Sequence, residues 1–583
     1  MARPSVHGTA PAEPLLALRA FGCRYPESPA PALDGIDFTV AAGELVAVMG
    51  ASGAGKSTLL KCLTGIVPSF VSAQITGQRR AFGRDAAMLA PGELAGRVGI
   101  VFQDFEAQLF STSCALEVGF APQQLGLPRE AIDARTRLAL ERVGLDGFAA
   151  RDPATLSGGE KQRLAIAGIL ALEPQVVLLD EPTTDIDPEG KRAILELLRA
   201  LRGDGVAIVL VEHEILAAEA ADRLVLLADG RIVADGHAPA LLGDVARLEH
   251  CGIRPRDLDV IGHRLALPDR FATVAAAEKA LRAHGAVPAP DPASHERQAV
   301  RTNGSAALLT VDDVRFAYES GRPALDGISL DIAPGEYVAL IGQNGSGKTT
   351  LAKHLNGLLA PTGGAVRLAG KDLREMRLGE IARDVGFVFQ DPDHQLFCDT
   401  VEEEVAYGPR HLGLDAAEVE RRVARVLEVC ALRDRRSTDP FLLRKGERQR
   451  LAIAAVLATE PRVLILDEPT TGLDHREQRA ILALLAELHR AGRTIVVITH
   501  APWLVAENAT RAILLSHGRV LLDGDIRQLL WAGDVLAAAS FVLPDATLLG
   551  LRFGATIRSP GELVARVRRA GSARGAEPSE GMA

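Results

Sequence analysis

Two stretches of this chain combine glycines, a lysine and a hydroxyl in the pattern that holds a polyphosphate. Gly50-Ala51-Ser52-Gly53-Ala54-Gly55-Lys56-Ser57 and Gly342-Gln343-Asn344-Gly345-Ser346-Gly347-Lys348-Thr349 both satisfy GxxxxGK[ST], and each is followed by a threonine, Thr58 or Thr350. Glycines let successive backbone N–H groups converge on phosphate oxygens with no Cβ in the way. A helix opening at the end of such a loop adds its own unsatisfied N–H groups and positive end. Lys56 and Lys348 are then placed to reach the β- and γ-phosphates, while Ser57 and Thr349 offer a hydroxyl to Mg²⁺. A chance glycine turn with a nearby lysine does not account for two such loops.

Carboxylates follow at the ends of two apolar runs, Val176-Val177-Leu178-Leu179-Asp180-Glu181 and Val463-Leu464-Ile465-Leu466-Asp467-Glu468. Acids at the carboxyl end of a buried parallel strand lie where open α/β sheets bind ligands. The first acid of each pair suits Mg²⁺ and the second suits polarisation of an attacking water. Strands ending in His213 and His500, and others ending in Gln103 and Gln390, keep their distance from the acid pair in both halves, which marks them as functional. The expected metal set is Ser57, Gln103 and Asp180 in one half and Thr349, Gln390 and Asp467 in the other. Tyr25 and Tyr318 precede the loops by about thirty residues; each either stacks on a base or packs at a sheet edge.

These residues are positioned by a chain written twice. LDGIDFTVAAGELVAVMGASGAGKSTLLKCLTG from Leu33 returns as LDGISLDIAPGEYVALIGQNGSGKTTLAKHLNG from Leu325. Gln103, Glu181 and His213 recur at one constant offset as Gln390, Glu468 and His500; the first copy carries a short insertion between its lysine and its glutamine. Apolar strands precede the loops and helices follow them, which predicts an α/β fold. We expect one domain over 14–244, a linker over 245–307, a second domain over 308–540 and a C-terminal extension over 541–583 with a disordered end. The linker reads as one short helix, FATVAAAEKALRAHG, and a Pro/Ala stretch. The extension carries a short basic helix, GELVARVRRA.

Composition narrows the function. Of the 583 residues, 47% are hydrophobic and 24% charged, so a packed core is available and wholesale disorder is excluded. The net charge of −10 gives no basic character for nucleic acid. Six cysteines without CxxC spacing exclude a disulfide framework or zinc ribbon and suit a reducing compartment. The N-terminus is a poor signal peptide, and the most apolar stretch, Leu529 to Leu551, is broken by Asp534 and Asp545. No stretch reaches the roughly 18 apolar residues of a membrane span.

Leu156-Ser157-Gly158-Gly159-Glu160-Lys161-Gln162-Arg163 completes a set of motifs in which the chain resembles the ATP-binding-cassette ATPases. The resemblance covers nearly everything except the linker and tail. It implies two tandem P-loop domains, each a mixed sheet core with a helical subdomain, with ATP and Mg²⁺ sandwiched head-to-tail in a pseudo-dimer formed within one chain. It also implies that Ser157, Gly158 and Gly159 meet the γ-phosphate bound by the opposite domain. Glu181 and Glu468 would be general bases, His213 and His500 γ-phosphate contacts, and Gln103 and Gln390 contacts toward a membrane subunit.

One copy departs from the pattern. The second signature reads Arg444-Lys445-Gly446, losing the serine hydroxyl and one glycine, and Gly472 stands where the first copy has Asp185. Head-to-tail pairing would set the altered signature against Lys56 and Glu181, so the site of Lys348 and Glu468 is expected to hydrolyse faster. QDPDHQLFCDTVEEEVAYGP is similar to energy-coupling-factor importers of vitamins, cobalt or nickel. The first copy retains Gln108, Leu109, Phe110 and Glu117 but lacks the Pro-Asp pair. That family pairs its ATPases with a transmembrane coupling subunit and a small membrane substrate-binding subunit, so this chain is expected at the cytoplasmic face of the membrane as a peripheral protein. A sugar-importer ATPase, or a soluble cassette protein acting on ribosomes or DNA, is the competing reading; the latter needs a basic linker or long coiled coil, which is missing.

Overall fold

The computed structural model describes residues 13–26, 28, 30–89, 91–183, 186, 188–267, 270–291, 307–318, 321, 323–539 and 541–574. The chain divides into two units, 1–255 and 256–583.

In the first unit the run LVAVMG forms a strand, Leu45–Gly50, with every residue buried. It lies inside a six-stranded sheet ordered Arg231–His237, Arg223–Ala228, Leu45–Gly50, Ala207–Val211, Val176–Asp180, Val98–Val101. The first pair is antiparallel and the others are parallel. Side chains alternate across a strand, so Leu45, Ala47 and Met49 enter one core while Val46 and Val48 enter the other. The first core is shared with the helices Cys114–Gln124, Arg129–Arg142 and Gly158–Leu170. The second is closed by the helix Lys56–Thr64 and by an antiparallel sheet of Leu33–Val40, Leu16–Arg24, Gln74–Ala81 and Arg84–Asp85. A strand buried on both faces must read as a continuous apolar run, and these do.

The second unit repeats this plan. Its six-stranded sheet runs Val385–Val388, Val463–Asp467, Thr494–Ile498, Tyr337–Ile341, Arg511–Ser516, Arg519–Asp525, beside an antiparallel sheet of Pro323–Ile332, Leu309–Ala317, Gly363–Leu368 and Lys371–Asp372. Its helical part comprises Val401–His411, Ala416–Val429 and Lys445–Leu457.

The stretch 245–307, read above as a linker, is folded over much of its length. Val245–His250 is helical, and Leu248, Cys251 and Ile253 belong to the core of the first unit. Within the second unit, the helices Asp257–Arg264 and Val274–Ala283 pack with Asp545–Arg552 and Pro560–Arg574 from the C-terminal extension. Leu258, Ile261, Ala277 and Leu281 meet Ala546, Leu549, Phe553 and Leu563 in one buried cluster. The pairing is reciprocal, the first helix of each pair lying against the second helix of the other. The sequence shows the same relation, Asp257-x-x-Val260-Ile261-Gly262-x-Arg264 returning as Asp545-x-x-Leu548-Leu549-Gly550-x-Arg552. Gly550 is required there, because a Cβ would lie 2.7 Å from the Ala555 carbonyl oxygen. Asp257 accepts from the Ala546 N–H at 3.2 Å, and Asp291 accepts from Thr556 N–H at 2.7 Å and from Arg566 at 2.6 Å. Helices this short are marginal alone; the two pairs supply each other's apolar face. The Gly/Ser/Glu tail expected to be disordered lies, from residue 575 on, outside the described residues.

Candidate functional site

Both glycine-rich loops stand between the central strand of their sheet and a helix that starts at the lysine. Gly55 and Gly347 cap those helices with φ of 104° and 102°, in the left-handed region open to glycine. A Cβ would lie 2.5 Å from the Ala32 carbonyl oxygen in one loop and 2.6 Å from that of Ala324 in the other, so neither loop tolerates a side chain there. Lys56 donates to the carbonyls of Gly50 and Ala51 at 2.9 and 3.0 Å, and Lys348 to those of Gly342 and Gln343 at 2.9 and 2.8 Å. Each ammonium is thereby curled over the loop it serves. Burial lowers the Lys348 pKa against the opposing pull of Glu468 and Asp467.

The acids come next. Asp180 and Asp467 are each 4% exposed, and their carboxyls are bonded by the Ser57 and Thr349 hydroxyls. Burial pushes both carboxyls up, the hydroxyl bond opposes it, and the adjacent Glu181 or Glu468 adds to the rise. Among the described residues, Asp180 Oδ1 and Asp467 Oδ1 are buried and have no protein partner. A buried, unpaired carboxylate oxygen is costly, and a hydrated divalent cation beside the Ser or Thr hydroxyl meets that need. The residues present therefore fit Mg²⁺ at both loops.

Glu181 and Glu468 leave the strand ends with φ of 52° and 46°. A non-glycine residue held there costs on the order of 1–3 kcal/mol and persists only where its surroundings impose it. The turn aims each carboxylate at the residues picked out by spacing. His213 Nε2 lies 2.7 Å from Glu181 Oε1, and Gln103 Nε2 donates to Glu181 Oε2 at 2.8 Å. In the second copy His500 Nδ1 lies 2.8 Å from Glu468 Oε1. Strand ends far apart in sequence thus converge because the parallel sheet sets them side by side. Tyr25 and Tyr318 reach the loop helices through their hydroxyls, 3.3 Å from Thr58 Oγ1 and 3.2 Å from Thr350 Oγ1.

The signature segments open the helices Gly158–Leu170 and Lys445–Leu457. Ser157 caps the first: Glu160 N–H donates to Ser157 Oγ at 3.4 Å, and the Ser157 N–H and Oγ–H both donate to Glu160 Oε2 at 2.8 Å. Arg444 has no side-chain acceptor, so only the return bond remains, Arg444 N–H to Glu447 Oε2 at 3.0 Å. Lys445 lies directly over Gly472, where a Cβ would collide with its ammonium end. The flexible lysine end could move aside; the φ of 68° at Gly472, in the left-handed region, is what favours glycine in this copy. The first copy's Asp185 lies outside the described residues.

The segment after each glutamine, expected to receive the membrane partner, is held by contacts that the pattern of residues did not reveal. Glu117, buried in its helix, accepts from the N–H groups of Phe110 and Ser111 at 3.0 and 2.8 Å. Glu404 does the same for Phe397 and Cys398 at 2.9 and 2.8 Å. Gln108 and Gln395 brace the loop from within, accepting from Phe102 and Phe389 N–H. The loops so held present aromatics outward, Phe110 edge-on to Phe120 at 4.8 Å and Phe397 edge-on to Tyr407 at 4.7 Å. Phe110 is 63% exposed and Phe397 60%. The missing Pro-Asp pair of the first copy is replaced in effect: Lys161 meets Glu106 at 3.0 Å where Arg448 meets Asp393 at 2.7 Å.

A phosphate loop, a metal-ready aspartate and a following glutamate on a parallel sheet define a P-loop nucleoside triphosphatase. The model of the ABC transporter family matches residues 33–184 and 325–471. An ABC transporter ATP-binding protein of Caldanaerobacter subterraneus is 40% identical over 555 residues, covering 92% of this chain and 96% of that one. Another from Methanosarcina acetivorans is 36% identical, covering 92% and 90%. A solved structure, CbiO1 of Clostridium perfringens, described as part of the ABC transporter complex CbiONQ, is 33% identical; the match covers 42% of this chain and 99% of that one, with a TM-score of 0.38. The chain belongs to the ABC transporter family, as an ATPase with two ATP-binding domains. Among the described residues no helix is long and apolar enough to cross a membrane.

Proposed function

We propose that the chain is the energy-coupling ATPase of an importer of the energy-coupling-factor type, peripheral to the membrane, with a transmembrane coupling subunit as its direct partner. The observation that supports this best is the doubled aromatic platform. Phe110 and Phe397 stand exposed on the segments that follow Gln103 and Gln390 in the chain, edge-on to Phe120 and Tyr407 of the next helices, and the buried carboxylates Glu117 and Glu404 hold those segments. An exposed apolar patch on a rigid support suits a protein partner. The salt bridges Lys161–Glu106 and Arg448–Asp393 join each platform loop to its signature helix, a route from partner to nucleotide.

In this reading Lys56 and Lys348 bind the β- and γ-phosphates. Ser57 with Asp180, and Thr349 with Asp467, would hold Mg²⁺ on the side of Gln103 and Gln390, and the ion would supply neutralisation of phosphate charge. Glu181 and Glu468 take the proton of the attacking water. His213 and His500 orient those carboxylates and contact the γ-phosphate. ATP closes the two domains as an intramolecular pseudo-dimer, and hydrolysis reopens them, which moves the membrane partner.

The two sites divide the work. The nucleotide on Lys348 is completed by the capped Ser157-Gly158-Gly159 signature and turns over faster. The one on Lys56 meets Arg444-Lys445-Gly446 and is chiefly bound. Purification from membranes in mild detergent tests the partner: a membrane subunit co-purifies with the native chain and is lost when Phe110 and Phe397 become aspartate. Recovery of the native chain alone, or with ribosomes, would remove the importer reading.

A further inference from the structure

Directly before His213 lies Glu212, a carboxyl that the roles above do not use. It is 1% exposed, yet both its oxygens are engaged. Oε1 accepts from the Thr183 N–H at 3.0 Å and from the Thr183 hydroxyl at 2.7 Å. Oε2 accepts from the His213 N–H at 3.2 Å. Thr183 is two residues beyond Glu181, so this one side chain bonds the segment of the acid and the segment of the histidine.

We propose that Glu212 is a positioning residue of the first site: its carboxylate, in the charged form, ties the turn after Glu181 to the strand end before His213 and holds those two side chains at hydrogen-bond distance.

Three donors point at Glu212, and a carboxylate has lone pairs for all of them, whereas a protonated carboxyl turns one acceptor into a donor facing the His213 N–H. The charged groups around it are Glu181, Glu214 and Lys191, with His213 adjacent in the chain; Lys191 is itself paired with Glu214 at 2.6 Å. Among the described residues, Lys191 is thus the cation set against three neighbouring carboxylates. Burial, Glu214 and Glu181 push the Glu212 carboxyl up to about 7, against the Thr183 bonds and Lys191. The latch thus changes charge close to neutral pH.

The second copy has no such group. Thr499 stands at the matching place, and its hydroxyl accepts from Ala501 N–H at 3.0 Å within its own turn. The turn around Thr470 is held by the neutral amide of Gln478, which donates to the Thr470 carbonyl at 3.3 Å. Two copies of one machine hold the same turn, one by a titrating group and the other without.

The inference rests on the reading of Glu181 and His213 as hydrolytic residues, and two measurements on the full chain separate the claims. Amide hydrogen exchange without nucleotide reads the latch. Local opening breaks the Thr183 bonds, which favour the charged carboxyl, and leaves Glu212 buried, unlike global unfolding; so, after division by the intrinsic rate, protection of the Thr183 amide rises about tenfold from pH 6 to pH 8 in the native chain. It stays level in Glu212→Gln and in Glu212→Thr, the latter copying a residue that the second copy accommodates. Protection of the Thr470 amide does not vary with pH. Level protection at Thr183 in the native chain, or a native profile in both variants, overturns the latch. Single-turnover hydrolysis in the Glu468→Gln background reads its use: the rate rises over the same pH interval while Glu212 is present and loses that rise once Glu212→Thr is added. A rate that Glu181→Gln leaves untouched, with the latch intact, removes the role of Glu181 and with it the positioning claim, but not the contact.

Discussion

The two halves agree around their phosphate loops and differ in their signature caps and in what holds the turn after the acid pair. Lys56 and Lys348 curl onto the same pair of loop carbonyls, Tyr25 and Tyr318 reach the same threonine, and Asp180 and Asp467 leave the same oxygen unpaired. The signature caps differ, Ser157 against Arg444, and so do the groups that hold the turn after the acid pair, Glu212 against Gln478. A polyphosphate with its cation is one fixed object, so the residues that touch it have little room to vary. Loop positioning has several physical solutions, and duplication has let the copies adopt different ones.

The largest effect that would break this comparison is on turnover. Glu468→Gln lowers steady-state ATPase by about 10²–10⁴-fold, the usual worth of a general base, and Glu181→Gln lowers it far less; equal losses in a phosphate-release assay would end the asymmetric reading. Next comes pH-dependent stability of the first unit. The folded state keeps the Glu212 proton up to about pH 7, whereas the unfolded chain releases it above the ordinary glutamate value of 4.5. The native state then binds more protons, so this group's contribution falls as pH rises through that interval. Glu212→Gln should remove a slope worth on the order of 3 kcal/mol, read as a smaller drop in the first unit's melting temperature between pH 5 and pH 8. The second unit, with Thr499, should show no counterpart.

A smaller change follows from rebuilding the altered signature. Arg444→Ser with Lys445→Gly restores the side-chain cap, a gain of about 1 kcal/mol for that helix. In the Glu468→Gln background it raises residual ATPase about tenfold, roughly one transition-state hydrogen bond; no rise would mean that the signature is not what slows the first site. The smallest expected effect is at the tyrosines. Tyr318→Ala raises the KM for ATP a few-fold, about the worth of one aromatic contact, while Tyr318→Phe keeps it if the ring stacks on the base. A larger loss in Tyr318→Phe would assign the role to the hydroxyl bond with Thr350.

How legible these parts were follows from the range of the interactions. The phosphate loops, the acid pairs and the buried strands that carry them could be read from residues a few positions apart, because glycine geometry and apolar strand runs are local. Repeated spacing marked His213 and His500 as functional, but their contacts with Glu181 and Glu468 had to come from the parallel sheet, which aligns strand ends remote in the chain. Glu212 drew no notice, since a glutamate after an apolar run reads as a surface residue until burial and three donors are seen. Glu117 and Glu404 were visible only as a pattern after each glutamine; their task, bonding the backbone beneath Phe110 and Phe397, needs the helix and the loop folded together. The helices at 257–283 looked like a tether because their apolar partners, Leu549, Phe553 and Leu563, lie at the other end of the chain.

By itself the sequence determined that there are two phosphate loops with an acid, a histidine and a glutamine each, and that one signature is altered. Those facts rest on residue type and spacing, which need no fold to be true. Tertiary structure alone decided which groups are buried, unpaired or shared: the open oxygens of Asp180 and Asp467, the clamps under the aromatics, the lysine over Gly472 and the carboxylate joining Thr183 to His213. Each depends on desolvation and on distances between segments remote in the chain, and a linear pattern records neither.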